Sequence, residues 1–219
     1  MKRIIFVLLF YALIFQIKAQ AVFRSEDVFR VESLTWYGLN FTLAQLVGPF
    51  DNIKYSTDKD AAKLRDHYFR AWNDIVIQEN PKYNVAKFYK KKFVDYDLSE
   101  VERLNALINP EKILINGIAP RLTLEKIQSA IHNYDTKGKS GIGLVYVVET
   151  FNKLLKKSII HVTFFDMSTK NIIFLKTMEA NPSGGGLRNY WAKCIHITMT
   201  GSSERWARWK KEVTPKRKK

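Results

Sequence analysis

The chain has 219 residues, enough for one sizeable core, and its 36 Lys and Arg outweigh 21 Asp and Glu for a net charge of +15. That balance favours anionic partners (nucleic acid, phospholipid, lipopolysaccharide or an acidic protein face) without choosing among them. Cys194 is the only cysteine, which excludes an internal disulfide and leaves the core alone to hold the fold.

The opening stretch, "MKRIIFVLLFYALIFQIKAQ", has a positive head at Lys2 and Arg3, an unbroken apolar run over 4–15, and a small residue, Ala19, before a cut. This is the layout of a secretory signal peptide over residues 1–19. A spanning helix needs about 20 apolar residues, and Gln16 and Lys18 break the run. No cysteine lies near the cut, so a lipid anchor is excluded. The mature chain should be periplasmic or secreted, with no transmembrane segment. Removing residues 1–19 takes away Lys2, Arg3 and Lys18 and no acid, leaving 33 bases against 21 acids, a net charge of +12. No proline- or serine-rich linker divides the rest, so residues 20–212 read as a single α/β domain and 213–219 as a disordered basic tail.

"VESLTWYGLNFTLAQLVG" predicts a long first strand, bulged at Gly38 and closed by Gly48-Pro49. Within it Asn40-Phe41-Thr42 matches the glycosylation sequon. "DKDAAKLRDHYFRAWNDIVIQE" repeats apolar residues at 61, 64, 68, 72, 75 and 76, one face of a helix. "KYNVAKFYKKKFVDY" reads as a strand. "DLSEVERLNALINP" reads as a helix with a Ser99–Glu102 capping box, stopped by Asn109-Pro110. "KILING" is a short strand or turn, and "PRLTLEKIQSAIHNYD" puts Leu124, Ile127, Ile131 and Tyr134 on one helical face.

Three apolar runs follow, "GIGLVYVVETF", "SIIHVTFFD" and "NIIFLKTM", split by lysine-bearing turns. They predict an antiparallel meander, and their near-continuity predicts cover on both faces. "LRNYWAKCIHITMT" reads as a helix with Leu187, Trp191, Cys194 and Thr198 inward, although "IHITMT" alternates like a strand. "SERWARWKKE" predicts a short terminal helix. The whole is an α+β fold: a mixed α/β sandwich whose sheet ends in the meander, packed by helices.

Motifs that would name a reaction are missing. "NYDTKGKS" carries Gly138-Lys139-Ser140, but Asn133 stands where a phosphate loop needs its first glycine, and a strand follows. No G-x-G-x-x-G, no H-E-x-x-H and no G-x-S-x-G elbow occurs. His67 and His132 fall on polar helix faces, so no zinc site has a nucleus, and neither cofactor nor metal is expected. In "NPSGGGLRNYWAKC" the glycines should supply positive φ before a helix. Gly185 and Gly186 with Arg188 and Asn189 are the candidate anion-binding residues there. Tyr190 and Trp191 should anchor that helix on the sheet.

Glu149 and Asp166 end or interrupt apolar runs, and with His161 they form the candidate acid/base set. The plainer reading pairs such carboxylates with Lys153 or Lys170 at strand ends. "PKYNVAKFYKKKF" carries five lysines and no acid. Lys87, Lys90, Lys91 and Lys92 make the candidate basic face, interleaved with aromatics in the manner of single-strand nucleic-acid binders. Export demotes nucleic acid as a partner, and lysines on an edge strand also guard against aggregation.

The segments "WYGLNFT", "GIGLVYVVETFNK", "HVTFFDMSTKNIIF" and "GGGLRNYWA" together resemble a family of uncharacterised exported proteins of Bacteroidota, which have similar Gly-x-Gly-aromatic/Leu-Arg-Asn-Tyr-Trp segments. The resemblance implies a periplasmic or outer-envelope location and transfers no catalytic residues. More loosely, the element order is similar to that of small α/β domains in periplasmic assembly lipoproteins, minus the lipidated cysteine. The expected function is a non-enzymatic exported binding or assembly domain whose basic surface meets an anionic envelope component or a partner protein. The alternatives are an envelope hydrolase using Glu149, Asp166 and His161, and an exported nucleic-acid binder.

Export should leave a mature N-terminus near Gln20 or Ala21. N-terminal sequencing of protein recovered outside the cytoplasm checks this, and recovery of intact Met1 in a membrane pellet would refute it.

Overall fold

The computed structural model describes residues 22–50 and 61–214; the segment expected to be a signal peptide and most of the expected basic tail lie outside the described residues. Seven strands form one mixed sheet: β1 (Ser33–Asn40), β2 (Gln45–Val47), β3 (Phe93–Tyr96), β4 (Leu114–Ile115), β5 (Ile142–Asn152), β6 (Lys157–Asp166) and β7 (Ile172–Ala180). The meander is present as read: β5, β6 and β7 pair antiparallel in sequence. On its other edge β5 pairs parallel with both β1 and β2, which are successive pieces along one track. The expected single first strand is therefore interrupted. Asn40 accepts from the Thr42 N–H (2.8 Å) and hydroxyl (2.6 Å) and turns the chain between the pieces. β3 and β4 flank β1 and β2 in parallel.

The register of β1 on β5 slips between Trp36 and Leu39, the bulge expected at Gly38, which sits at φ +89°. Two asparagines serve the backbone there. Asn73 accepts from Leu39 N–H (2.6 Å) and donates back to Leu39 C=O (3.1 Å), and Asn105 donates to the same carbonyl (3.0 Å) and accepts from Phe41 N–H (2.8 Å). Buried backbone groups that leave the ladder need such partners. Asn40 is itself fully buried and donates to the Tyr134 hydroxyl, so the sequon faces the interior.

Helices cover both sheet faces. On one lie α1 (Ala61–Lys63), a π turn (Leu64–Tyr68), α2 (Phe69–Gln78), α3 (Val85–Phe88) and α6 (Leu187–Val213). The first three are the periodic helix read from sequence, widened at its π turn. Trp72 is fully buried and its indole N–H donates to the Arg188 carbonyl at 3.0 Å, tying α2 to the start of α6. On the other face α5 (Leu124–His132) buries Ile127 and Ile131 against Tyr37, Val145, Val147 and Phe165. α4 (Ser99–Ala106) packs over the bulge of β1.

α6 runs unbroken for 27 residues, so the segment 187–199 is helical, as favoured, and the expected separate terminal helix is its continuation through Val213. Trp191 stacks on Phe151 (centroids 4.5 Å apart, planes 2° apart), and Trp206 meets Phe29 near the chain's start at 4.5 Å. Two local readings need correction. Residues 83–92 are not strand: Asn84 accepts from the Lys87 N–H at 2.8 Å and caps α3, and only Phe93–Tyr96 is extended. The capping box at Ser99 does not form either. Asp97 accepts from the Ser99 hydroxyl at 2.6 Å and its N–H at 3.2 Å instead, so the start of α4 is served by a residue two positions earlier.

Glycine positions separate strain from space. A Cβ at Gly38 would overlap Asn73 Oδ1 and press on Leu98 and Val101, whereas one at Gly186 (φ +72°) or Gly185 meets open space. Gly186→Ala should destabilise by about 1 kcal/mol through its backbone alone. Gly185→Ala should be near neutral, and Gly38→Ala should be far worse than either. Denaturant melts of the three variants check the ranking; a mild Gly38→Ala would show that the asparagine brace is not required.

Candidate functional site

β5 breaks its pairing with β6 at one point. Val148 faces Ile160 and Thr150 faces Ile159, leaving Glu149 as the extra residue of a bulge. Val148 and Phe151 both join the larger core cluster, so the bulge turns Glu149 and Thr150 together toward the opposite, α5-bearing face. Bulges re-aim side chains in this way. The Glu149 carboxylate, 2% exposed, then meets three donors. Arg121 Nε lies 2.8 Å from Oε1, and Leu122 N–H (3.1 Å) and His161 Nε2 (2.8 Å) converge on Oε2.

His161, one strand over on β6, also places Nδ1 3.0 Å from the hydroxyl of Thr177 on β7. The three residues form a line across three adjacent strands. Burial lowers the His161 pKa below its ordinary value, outweighing the attraction of Glu149. The ring is thus neutral, with its hydrogen on Nε2 facing the carboxylate and the Nδ1 lone pair accepting the Thr177 hydroxyl. Arg121 and Lys157 continue outward to Glu179, the lysine at 2.9 Å and the arginine at 3.8 Å.

Two of the three candidate acid/base residues are therefore in contact, and the third is not. Asp166 stands at the far end of β6, opposite Ile142. It accepts from Ser168 N–H (2.8 Å) and Thr169 N–H (3.3 Å) to form the β6–β7 turn, and from Phe23 N–H at 3.4 Å. Glu149 takes Arg121 and His161 as partners in place of a strand-end lysine. Thr177 and Arg121 escaped the sequence reading; the only signal for Thr177 was its place opposite His161 in the hairpin.

Glu149 also lines a cleft. β2, β4 and β5 run parallel and end together, and loops 48–50 and 116–119 and the β5–β6 turn 153–156 emerge at that end. Crevices outside the carboxyl ends of parallel strands are common ligand sites. Here the walls are Val47, Ile118, Leu154, Leu155 and Ile159, with Glu149, Thr150 and Lys157 on one side. Ile118, Leu154 and Leu155 are 97%, 67% and 72% exposed.

The other candidates are scattered. At the glycine run, Gly184 (φ +113°) and Gly186 take the positive φ expected of them. Arg188 reaches Glu79 Oε1 at 3.3 Å and the Asn189 side chain at 3.2 Å, bridging α6 to the end of α2. Trp191 anchors α6 on the sheet, while Tyr190 is only half-buried. In the lysine run, Lys87 and Lys90 face solvent and Lys92 pairs with Glu32 at 2.7 Å. Lys91 turns inward to the carbonyls of Val28 and Val31, and burial lowers its pKa to about 8. Cys194 is fully buried and its thiol is pushed up to about 12 by desolvation, so it is inert packing. Among the described residues no helix is long and apolar enough to cross a membrane, and no three His, Cys, Asp or Glu gather as metal ligands.

His161 gives the line a pH signature. Its folded-state pKa is depressed, so as pH falls through the ordinary value of 6.5 the unfolded chain takes the proton first. The stability His161 contributes is present above that value and lost below it. Half-buried His196 is lowered too, by desolvation and then Lys193 and Lys82, so the test is a difference: the drop in melting temperature from about pH 7.5 to pH 5.5 should be smaller in His161→Gln than in the parent. An equal drop would refute the assignment. Beyond this geometry, the chain matches no protein-family model and no curated protein.

Proposed function

We propose that the protein is a non-enzymatic exported binding domain that meets an anionic envelope component or partner protein through the end of its sheet. The observation that carries this is the cleft at the carboxyl ends of β2, β4 and β5, where exposed Ile118, Leu154 and Leu155 stand beside Lys153, Lys156 and Lys157. Exposed apolar groups gathered at one place mark interaction sites, and the excess of base over acid suits an anionic partner. Both oxygens of Glu149 and both nitrogens of His161 are already satisfied inside the protein. A closed network of that kind holds a sheet together without addressing a ligand.

The test uses 8-anilinonaphthalene-1-sulfonate, an anion with an apolar body. Saturable binding to the folded protein is expected, weakened about tenfold in Leu155→Ser by the loss of apolar contact, with an unchanged melting curve. Equal binding by parent and variant would place the site elsewhere.

One observation favours a second reading, an envelope hydrolase. Thr177 is exposed, and its hydroxyl meets a neutral imidazole that a buried carboxylate orients, the order of groups in a nucleophile–base–orienter relay. Under this reading Thr177 Oγ attacks an ester carbonyl while His161 Nδ1 takes its proton and passes it to the alcohol that leaves as the ester C–O bond breaks; water, deprotonated by the same nitrogen, then hydrolyses the acyl-threonine and frees the acid. Turnover of p-nitrophenyl acetate by the parent, abolished in Thr177→Ala, would establish the hydrolase; the binding reading expects no turnover from either.

A further inference from the structure

The β5–β6 turn reads Lys153-Leu154-Leu155-Lys156-Lys157, two outward leucines set among three lysines. Leu155 N–H donates to Asn152 Oδ1 at 2.9 Å and Lys156 takes φ +48°, so the turn is built to hold this shape. Lys153 Nζ donates to the Pro49 carbonyl at 2.7 Å, which fastens the turn to the loop after β2. Leu154 also packs on that loop at Gly48, so the leucines project from a braced base. Ile118, 97% exposed at the tip of the loop after β4, is the third apolar residue around the same cleft.

We propose that this end of the sheet docks on an anionic lipid bilayer, with Leu154, Leu155 and Ile118 entering the boundary between headgroups and acyl chains. Lys156, exposed at the turn, then faces the lipid phosphates. The inference rests on the binding reading above and names its partner. Three observations select a bilayer over a protein. The apolar residues sit on turn tips, which penetrate a soft planar surface but offer little of the roughly 800 Å² per partner that a stable protein interface buries. Lysines adjoin the leucines in the chain, so their stems lie along the hydrocarbon boundary while their ammonium groups stay at phosphate depth. Among the described residues the nearby acids are both engaged, Glu149 by Arg121 and His161 and Glu179 by Lys157 and Arg121, leaving the tip net positive.

Sedimentation of the purified protein with vesicles tests this. Vesicles of phosphatidylglycerol and phosphatidylcholine should carry the protein down, pure phosphatidylcholine should not, and added salt should weaken the binding. Lys156→Gln should weaken it about fivefold. The pair Leu154→Ser and Leu155→Ser should weaken it by more than about tenfold. Phe93→Ser, which removes an equally exposed apolar residue (67%) at the opposite end of the sheet, should leave it unchanged. Melting curves establish that each variant is folded; should the leucine pair unfold, Lys156→Glu decides. Failure to bind the anionic vesicles, or full binding by the leucine variant, overturns the proposal. If the naphthalene sulfonate binds at the cleft and vesicles do not, the lipid inference falls and the binding reading stands; if neither binds, both fall.

Discussion

The structure hangs on β5. Ten of its eleven residues are buried, and it is the one strand that joins the parallel half of the sheet to the antiparallel half. A strand covered on both faces has no solvent side on which to place a polar residue. A carboxylate in it must therefore be answered from within the protein or not be there. The bulge at Glu149 is that answer, since it turns the acid toward a histidine, a backbone N–H and an arginine that reaches in from the loop before α5. The same argument explains why the arginine is half in water. It stabilises the buried charge while keeping its own far side hydrated, which costs less than burying both partners.

How much of this was legible in the residues follows from what each signal measures. Continuous apolar runs report cover on both faces, and the meander emerged from them directly. The stripe from Leu64 to Val76 reports one buried face, and it predicted the helix, though not its π turn. The bulge at Gly38 was legible because glycine inside a strand pattern marks a position that a Cβ would spoil. Residues 83–92 misled because the buried Tyr83, Val85, Tyr89 and Lys91 all fall on odd positions, as on one face of a strand, and the cap that makes the difference, Asn84, is a single hydrogen bond. The lysine run misled in the same way: side-chain type does not reveal that Lys91 points at two carbonyls under Trp206.

The candidate site was legible in its parts and not in its arrangement. Glu149 and His161 stood out as polar residues in apolar runs. Their contact depends on a one-residue slip in register, which no periodicity records. Asp166 looked equivalent in sequence yet serves a turn, since a carboxylate just before Ser168 and Thr169 finds their N–H groups first. Leu154 and Leu155 were part of an unremarked turn. Only the ending of three parallel strands at one level, with Ile118 brought alongside, gives them a neighbourhood.

The contact between Phe29 and Trp206 bears on when the fold can close. These rings lie at opposite ends of the chain, and β1 pairs with a strand more than a hundred residues later. High contact order of this kind makes folding slow, because distant segments must meet before local contacts are rewarded. A nascent chain lacking α6 has neither Trp191 to lie on Phe151 nor Trp206 to cover Phe29, so the larger core stays open until the last helix is made. Helix α6 acts as the latch of the tertiary structure, since it lays Trp191 and Trp206 on the larger core only after every strand has been made.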